Sequence, residues 1–548
     1  MTYSYPGMIG YIANHEIAKF ALENVYTPEI AKAHKKCEIH LHDLGQGICN
    51  YCLGLDFEMF LQKGLDDIDG APKHFDSAMM MLMNAVYLIA QEIAGAVAFN
   101  SVDTLLAPYI KKDGLTYKKV RQVIQIWVYS ICVKGRVGHQ SPFTNIQLDL
   151  ETPKRLKGRR AMVGNECMDF TYDDCEPEAK MFAQALLDVM LEAKRVLPFP
   201  VINMGITKGF DWEDESEFSE ILFRTIGEKG QPTLNNYVNS NYDPDAVKSM
   251  CCSLRLDMRE IVKQSGGQFG ASDNSGSLGV VTLALPLYGY LAEGNKDILF
   301  AYVEKYLVMA KEALVVKRLF VEDMHNKEMF PTVKRFIGDN YKSFFNTIGL
   351  IGMNEMCLNF NNKPISDPES IALCEEVADY CNERLGDFQE EYKDFYGKNQ
   401  GLLFNLELVP GEGLTMRFAL HHKRRYPDII TANGSDGCYY TRGCWLPADE
   451  EFALAYATKH QEKLQDKFSG GANFQHFINE PINNWRAVRS LVKKLITNTT
   501  LPFISISPTL TVCPVCGVLQ TTEEYCQHDL TEDQIADLTK KGINLIED

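Results

Sequence analysis

The sequence predicts an α/β fold with a largely parallel sheet, and two observations carry that prediction. Short apolar runs bounded by turn residues (FPVINMGI, GVVTLALPLYGYL, NTIGLIGM, GLLFNLELV and LPFISISP) recur along the chain, and longer stretches of helical character separate them. A third observation, the length of 548 residues, leaves room for about three to four ordinary domains or for one large barrel. In chain order, the first helical region runs from about Phe75 to Trp127. There FDSAMMMLMNAVYLIAQEIAGAV is dense in apolar helix formers, and YKKVRQVIQIWVYSICV adds an apolar stripe at helical spacing. Helices with so much apolar surface pack on a core or on a partner subunit. Residues 151–180 are polar and irregular, an excursion between elements. Further helices are expected at about 178–196, 213–229, 295–345, 366–397 and 484–498, with the apolar runs as strands between them. From about Thr509 the composition changes to cysteine, charge and short turns, which sets a boundary between 1–508 and 509–548.

Composition excludes several classes. A hydrophobic fraction of 45% and a charged fraction of 23% are those of a globular protein. The net charge of −18 argues against a broad phosphate footprint on nucleic acid, while leaving local nucleotide sites open. The N-terminus has no basic region followed by an apolar core, and no apolar run reaches membrane-helix length, so a soluble cytoplasmic protein is expected. Sixteen cysteines are many for that compartment. They call for explanation as buried small residues, metal ligands or redox groups.

Three cysteine clusters stand out. In Met250-Cys251-Cys252-Ser253 the adjacent thiols cannot easily bridge each other. Polar, glycine-rich flanks there (NNYVNSN upstream, GGQFG downstream) suit a loop that approaches a ligand. In Cys49-Asn50-Tyr51-Cys52, just after His40-Leu41-His42-Asp43, a metal site, a redox dithiol and a purely structural role all remain open. The His-x-His spacing sets both imidazoles on one strand face. In Cys513-Pro514-Val515-Cys516-Gly517 the tight turn aims two thiolates at one point, and Cys526 and His528 are the available completions of a structural zinc site.

Taken in order, the stretches HLHDLG (40–45), YCLG (51–54), GRVGHQSPFTNIQLDL (135–150), MCCSLRLD (250–257), TIGLIGMNEMCLNF (347–360), NLELVPGEGLTMRFA (405–419) and LPFISISPTLTVCPVCG (501–517) resemble the anaerobic (class III) ribonucleotide reductases. The resemblance implies a ten-stranded α/β barrel of two antiparallel half-sheets, with a finger loop carrying a cysteine at its centre. It also implies reduction of ribonucleotides, with triphosphates as the expected substrates, by thiyl-radical chemistry. Cys252 is then the expected thiyl carrier, with Cys251 as the alternative, and Cys52 the thiol that faces the substrate from the other side. Ser141, Thr144, Asn145, Asn239 and Ser240 are candidates for ribose or phosphate contacts, and Glu412 for the pocket lining. Each of these polar residues can equally serve a turn or a cap. Helices at 75–131 are the expected homodimer and dNTP/ATP specificity-effector region. The expected reductant is formate or a thiol.

Two departures from the family pattern shape the expectation. The chain opens at the catalytic core, without the regulatory ATP cone of many members. It also ends at Asp548 without the Arg-Val-x-Gly-Tyr type segment whose glycine stores the radical, and without the fourth zinc cysteine. Three readings follow: a glycyl radical supplied in trans by a small polypeptide charged by a radical-SAM iron–sulfur activase, a truncated sequence, or a nucleotide-binding scaffold without catalysis. Retained cysteines on both sides of the site favour the first.

Overall fold

The computed structural model describes residues 4–65, 70–136, 140–193, 197–240, 274–409, 411–434, 437–447, 452–478 and 484–508. It also describes positions 450, 482, 531, 533 and 536 and the short pieces 247–249, 255–257, 511–512 and 519–520. An eleven-stranded mixed sheet organises the chain. Its strands are β1 (Ile39–Leu41), β2 (Cys52–Leu55), β3 (Val97–Phe99), β4 (Thr144–Leu148), β5 (Val201–Ile206), β6 (Thr233–Asn236), β7 (Ser275–Ala284), β8 (Phe344–Ile351), β9 (Leu403–Glu407), β10 (Phe474–Ile478) and β11 (Phe503–Pro508). Strands β2 to β6 lie side by side and parallel. Strands β7, β8 and β9 are parallel to one another, as are β10 and β11. β7 runs antiparallel to β2, and β11 antiparallel to β6. The two strands that end this order approach each other: Gly470 N–H donates to Leu406 O at 2.7 Å and Leu408 N–H to Gly471 O at 3.1 Å.

Strand alternation divides the core. Leu53, Val97, Ile146, Ile202, Leu234 and Ile504 face the helices Phe75–Ile89, Val102–Lys112, Tyr117–Ile131, Glu176–Glu192, Glu217–Lys229 and Trp485–Asn498 in one hydrophobic cluster. Ile348, Leu350, Phe404 and Leu406 face the helices Lys296–Asn326 and Pro368–Glu391 in a second. Helices form close to the expected 178–196, 213–229, 366–397 and 484–498, while the stretch expected as helix at 295–345 divides into Lys296–Asn326 and Pro331–Ile337 and passes into β8 at Phe344. Phe75–Ile89 buries Phe75, Ala78, Leu82, Ala85 and Ile89 along one face. Lys296–Asn326 is opened by Asn295, whose side chain accepts from Asp297 N and Ile298 N. Among the described residues no helix is long and apolar enough to cross a membrane.

Several expectations are corrected. Residues 75–127 are not continuous helix: β3 lies between the helices Phe75–Ile89 and Val102–Lys112. The run GVVTLALPLYGYL is strand only to Ala284 and then turns into the helix Leu285–Leu291, with Pro286 in its first turn, where proline is compatible with helix. The excursion at 151–180 holds an antiparallel hairpin, Arg160–Val163 with Glu166–Thr171, turned at Gly164 with φ +59°.

Candidate active site

The face of the sheet opposite the helices is polar. Asn145 and Gln147 on β4, Asn203 on β5, Thr233 and Asn235 on β6, Ser277 on β7, Thr347 on β8, Asn405 on β9 and Ser505 on β11 are all buried. Each alternates along its strand with an apolar residue of the outer clusters. Neighbouring strands share these groups. Asn203 Nδ2 donates to Asn145 Oδ1 at 2.6 Å, and the Ser277 and Thr347 hydroxyls lie 2.8 Å apart. Ser505 Oγ donates to Thr233 Oγ1 at 3.1 Å. Among the described residues, Asn203 Oδ1 and both amide atoms of Asn405 and of Asn100, just past β3, are buried without a hydrogen-bond partner. A buried amide left so costs about 1–3 kcal/mol, so this face is not one that stability alone selects.

Cys52 begins β2 on this inner face. It packs with Ala96, Ala98, Phe345 and Leu403, and is 2% exposed. Its Sγ accepts from Ala96 N at 3.3 Å. Gly95 makes that approach possible, because a Cβ there would lie 2.7 Å from the sulfur and 2.8 Å from Tyr51 O.

Charged groups converge on the same region. Arg136 is held by the Ile93 and Ala94 carbonyls at 2.5 and 2.6 Å. Lys317 comes from the helix Lys296–Asn326 and passes β7 at a bulge between Ser277 and Gly279. A Cβ at Gly279 would meet Lys317 Cδ at 2.7 Å. Both cations act on Asp43, Cys49 and Cys52. Burial pushes the Cys49 thiol up to about 11 despite them, so it is held as thiol. Burial likewise lowers Lys317 and raises Asp43.

His40 and His42 lie on one side, as the spacing predicts, with ring centroids 4.6 Å apart. Arg417 donates to His40 Nδ1 at 2.6 Å, while His42 Nε2 lies 2.8 Å from Thr282 Oγ1. Burial, then Lys317 and Arg417, pull His42 down to about 3, which keeps it neutral. Among the described residues no three His, Cys, Asp or Glu side chains are grouped to hold a metal ion. The histidines and the CxxC therefore do not make the metal site left open by their spacing.

Comparison with known proteins decides the family. A profile described as anaerobic ribonucleoside-triphosphate reductase matches residues 1–538. The chain belongs to the anaerobic ribonucleoside-triphosphate reductase family. Relatives of that name from Haemophilus influenzae and Escherichia coli are 22% and 20% identical over 507 and 482 residues, and each match covers 81% of this chain. The chain spans 64% of the length of these relatives. The fold resembles the anaerobic ribonucleotide reductase of Thermotoga maritima in complex with dATP and CTP, with a TM-score of 0.70 at 17% identity, covering 94% of this chain and 86% of that one. The same protein with glycerol in its active site gives a TM-score of 0.72 at 16% identity, over 94% and 86% of the two chains.

The residues singled out for this reductase family from the sequence fall into three groups, with Glu412 apart from them. Cys52 and Asn145 lie together on the inner face, linked through the pairing of β2, β3 and β4. Ser141, Thr144, Asn239 and Ser240 are engaged with backbone. Ser141 Oγ donates to Cys132 O at 2.7 Å and Thr144 Oγ1 to Pro142 O at 3.1 Å. Asn239 Nδ2 donates to Thr497 O at 3.2 Å, and Ser240 Oγ to Asn236 O. Thr144 also starts β4 in the register of Ile146, on the face away from Asn145. Glu412 opens the helix Glu412–Arg425 beyond β9.

The third group, Cys251, Cys252, Cys513, Cys516, Cys526 and His528, lies outside the described residues. Two antiparallel ladders bracket parts of it. Val247–Ser249 pairs with Arg255–Asp257 around the segment holding Cys251 and Cys252, and Thr511–Val512 pairs with Leu519–Gln520 around Cys513 and Cys516. Sequence reasoning missed Asn203, Asn405, Arg136 and Lys317. For the amides a signal existed: TNIQL and LFNLE place polar residues two apart, and VINMG sets one asparagine inside an otherwise apolar strand. For Lys317 none did, since one lysine in a helical stretch is indistinguishable from its surface neighbours.

Proposed function

We propose that this chain is the catalytic chain of an anaerobic ribonucleotide reductase, acting on ribonucleoside triphosphates. The observation that carries the reading is Cys52, a 2% exposed thiol on an inner face of amides and hydroxyls, in a chain of this family. A ribose presents several hydroxyl groups, and Asn203 Oδ1 and the amides of Asn405 and Asn100, which have no partner among the described residues, match them together with Asn145. Removing the 2′-hydroxyl begins with loss of the 3′ hydrogen to a sulfur radical. We assign that radical to Cys252, with Cys251 as the alternative, and the opposing thiol to Cys52. Burial of Cys52 keeps water and oxygen from the reacting sulfur.

The remaining parts follow from the same reading. The approach of β9 to β10 supports closure of the sheet into a ten-stranded barrel whose two parallel five-stranded halves run antiparallel to each other. Ser141, Thr144, Asn239 and Ser240 hold the loops at its rim, and we assign Glu412 to the pocket. Met80, Leu88, Ile126, Tyr129 and Val133 form an exposed apolar face on the helices Phe75–Ile89 and Tyr117–Ile131, which suits a homodimer contact. By analogy with the Thermotoga relative bound to dATP in its specificity site, a nucleotide effector binds at that contact. Cys513, Cys516, Cys526 and His528 would hold a structural zinc, which fits the ladder bracketing CPVCG. The glycyl radical comes in trans, from a small polypeptide charged by a radical-SAM activase.

The test is anaerobic reconstitution of this chain with candidate glycine-radical polypeptides, an activase and either formate or a dithiol. Deoxynucleotide formation lost in both Cys52→Ser and Cys252→Ala, with nucleotide binding retained, is the expected result. Turnover surviving either change overturns the assignment of that residue. No deoxynucleotide under any pairing would leave the scaffold reading.

A further inference from the structure

We propose that Cys357 and Cys374 are an oxidative modification site, which closes into an intramolecular disulfide when the chain meets hydrogen peroxide. The inference is independent of the reductase reading and lies away from the inner face. Cys357 sits on the helix Met353–Asn361, which follows β8, and Cys374 on the helix Pro368–Glu391. Both side chains are fully buried in the second hydrophobic cluster, and their sulfurs lie 3.5 Å apart. Other buried thiols are placed differently. Cys52 Sγ takes Ala96 N, Cys175 donates to Thr171 O at 3.4 Å, and Cys444 donates to Gln461 Oε1 at 3.5 Å. The turn between the two helices is tied at both ends, Ile365 N donating to Asn354 Oδ1 at 3.0 Å and Ser370 Oγ to Lys363 O at 3.2 Å. The sulfurs are therefore held in contact by the fold.

A single buried thiol is a small apolar filler, whereas two in contact are also a dithiol. Cys444 acts on Cys374 from nearby, yet among the described residues no three His, Cys, Asp or Glu side chains are grouped to hold a metal ion. Disulfide sulfurs lie about 2.0 Å apart, so closure asks for an approach of about 1.5 Å, which small χ1 rotations at the two residues supply. The hydrogen bond with Cys357, and then burial, hold the Cys374 thiol well above its ordinary range, so Cys357 reacts first. Its sulfur attacks one oxygen of the peroxide, the O–O bond breaks, and a sulfenic acid and one water result. The Cys374 sulfur then attacks the sulfenic sulfur. The S–O bond breaks as the S–S bond forms, and the hydroxyl leaves with the Cys374 proton as a second water. Each thiol is oxidised by one electron and the peroxide is reduced by two. Burial makes the reaction slow beside that of the exposed Cys167.

The test starts from the whole chain, fully reduced under argon. Hydrogen peroxide is added until Cys167 is oxidised and the exposure is then prolonged, the remaining thiols are alkylated in denaturant, and linked peptides are mapped by mass spectrometry. The Cys357–Cys374 pair should be at least about tenfold more abundant than any other pair made by either residue, the advantage of groups already in contact. Dithiothreitol should restore both thiols. In Cys374→Ser the sulfenic acid has no thiol to meet, so a dimedone adduct should appear on Cys357, and its absence would overturn the order of attack. Where that variant does not fold, the wild-type map decides alone. Cys357 and Cys374 left as thiols after Cys167 is oxidised overturn the proposal, and so does their oxidation without being joined to each other. No turnover is measured, so either result leaves the reductase reading where it stands.

Discussion

Gly95→Ala is a sharp probe of how Cys52 is held. The added methyl would lie 2.7 Å from Cys52 Sγ and 2.8 Å from Tyr51 O, about an ångström inside normal van der Waals contact for the sulfur. Neither obstacle can retreat freely. Tyr51 O accepts from Gly95 N itself at 2.6 Å, and the sulfur is fixed by Ala96 N and walled by Phe345 and Leu403. Overpacking of this kind costs about 1–3 kcal/mol. Spread over the unfolding entropy of 548 residues, at about 2.1 cal/mol/K per residue, that is a fall in Tm of only about 1–3 K. The effect on turnover is expected to be far larger, since shifting a reacting atom by about an ångström can cost roughly 100-fold. Calorimetry and the anaerobic assay on the same preparation therefore separate the two. A variant with wild-type Tm and turnover within about threefold of wild type would show that Gly95 does not position the sulfur, and the described site would be wrong at its centre.

Three further outcomes follow from buried groups. Arg318→Met should destabilise by about 3–5 kcal/mol, because it strips donors from Asn346 Oδ1, two carbonyls and a tyrosine hydroxyl at once; chemical denaturation measures it, and a change below about 1 kcal/mol would refute the pairing. Asp103 is pushed up to about 7 by burial and by Asp149, so its folded form binds a proton more tightly than the unfolded chain does. Its contribution to stability is therefore fully present below about pH 4 and lost as pH rises to about 7, with a slope of at most about 1.4 kcal/mol per pH unit that Asp103→Asn should flatten in urea midpoints measured from pH 5 to 7. Asn405→Leu should leave stability unchanged or raise it, since neither of its buried amide atoms has a partner among the described residues, while weakening nucleotide binding measured by calorimetry; unchanged affinity would exclude Asn405 from the site.

Much of the architecture was legible because apolar periodicity reports burial directly. Five apolar runs mark β5, β7, β8, β9 and β11, and the helix starting at Trp485 is marked by its spacing and by Asn484, whose side chain accepts from Arg486 N and Ala487 N. The strands that were not legible, β2, β3, β4, β6 and β10, have at most six residues and carry the inner-face groups (CLGL, TNIQL, TLNN), so polar positions break the apolar signal. β3 was lost inside a helical reading because AVAF has the composition of a helix. Cys52 was legible through its motif, and Asn145 through its neighbours. Lys317 and Arg136 were not, because what distinguishes them is burial beside Asp43, Cys49 and Cys52, a property of packing alone.

That distinction also says what the inner face is for. On the outer face most strand positions are apolar and fill helix grooves, which is what stability asks of a sheet. On the inner face the same strands bury amides and hydroxyls beside two cations, and some of these amides find no partner among the described residues. Replacing such groups by apolar residues of similar size would be neutral or stabilising. A chain that places them at alternate positions on strand after strand, around one fixed sulfur, has a face shaped by what it binds.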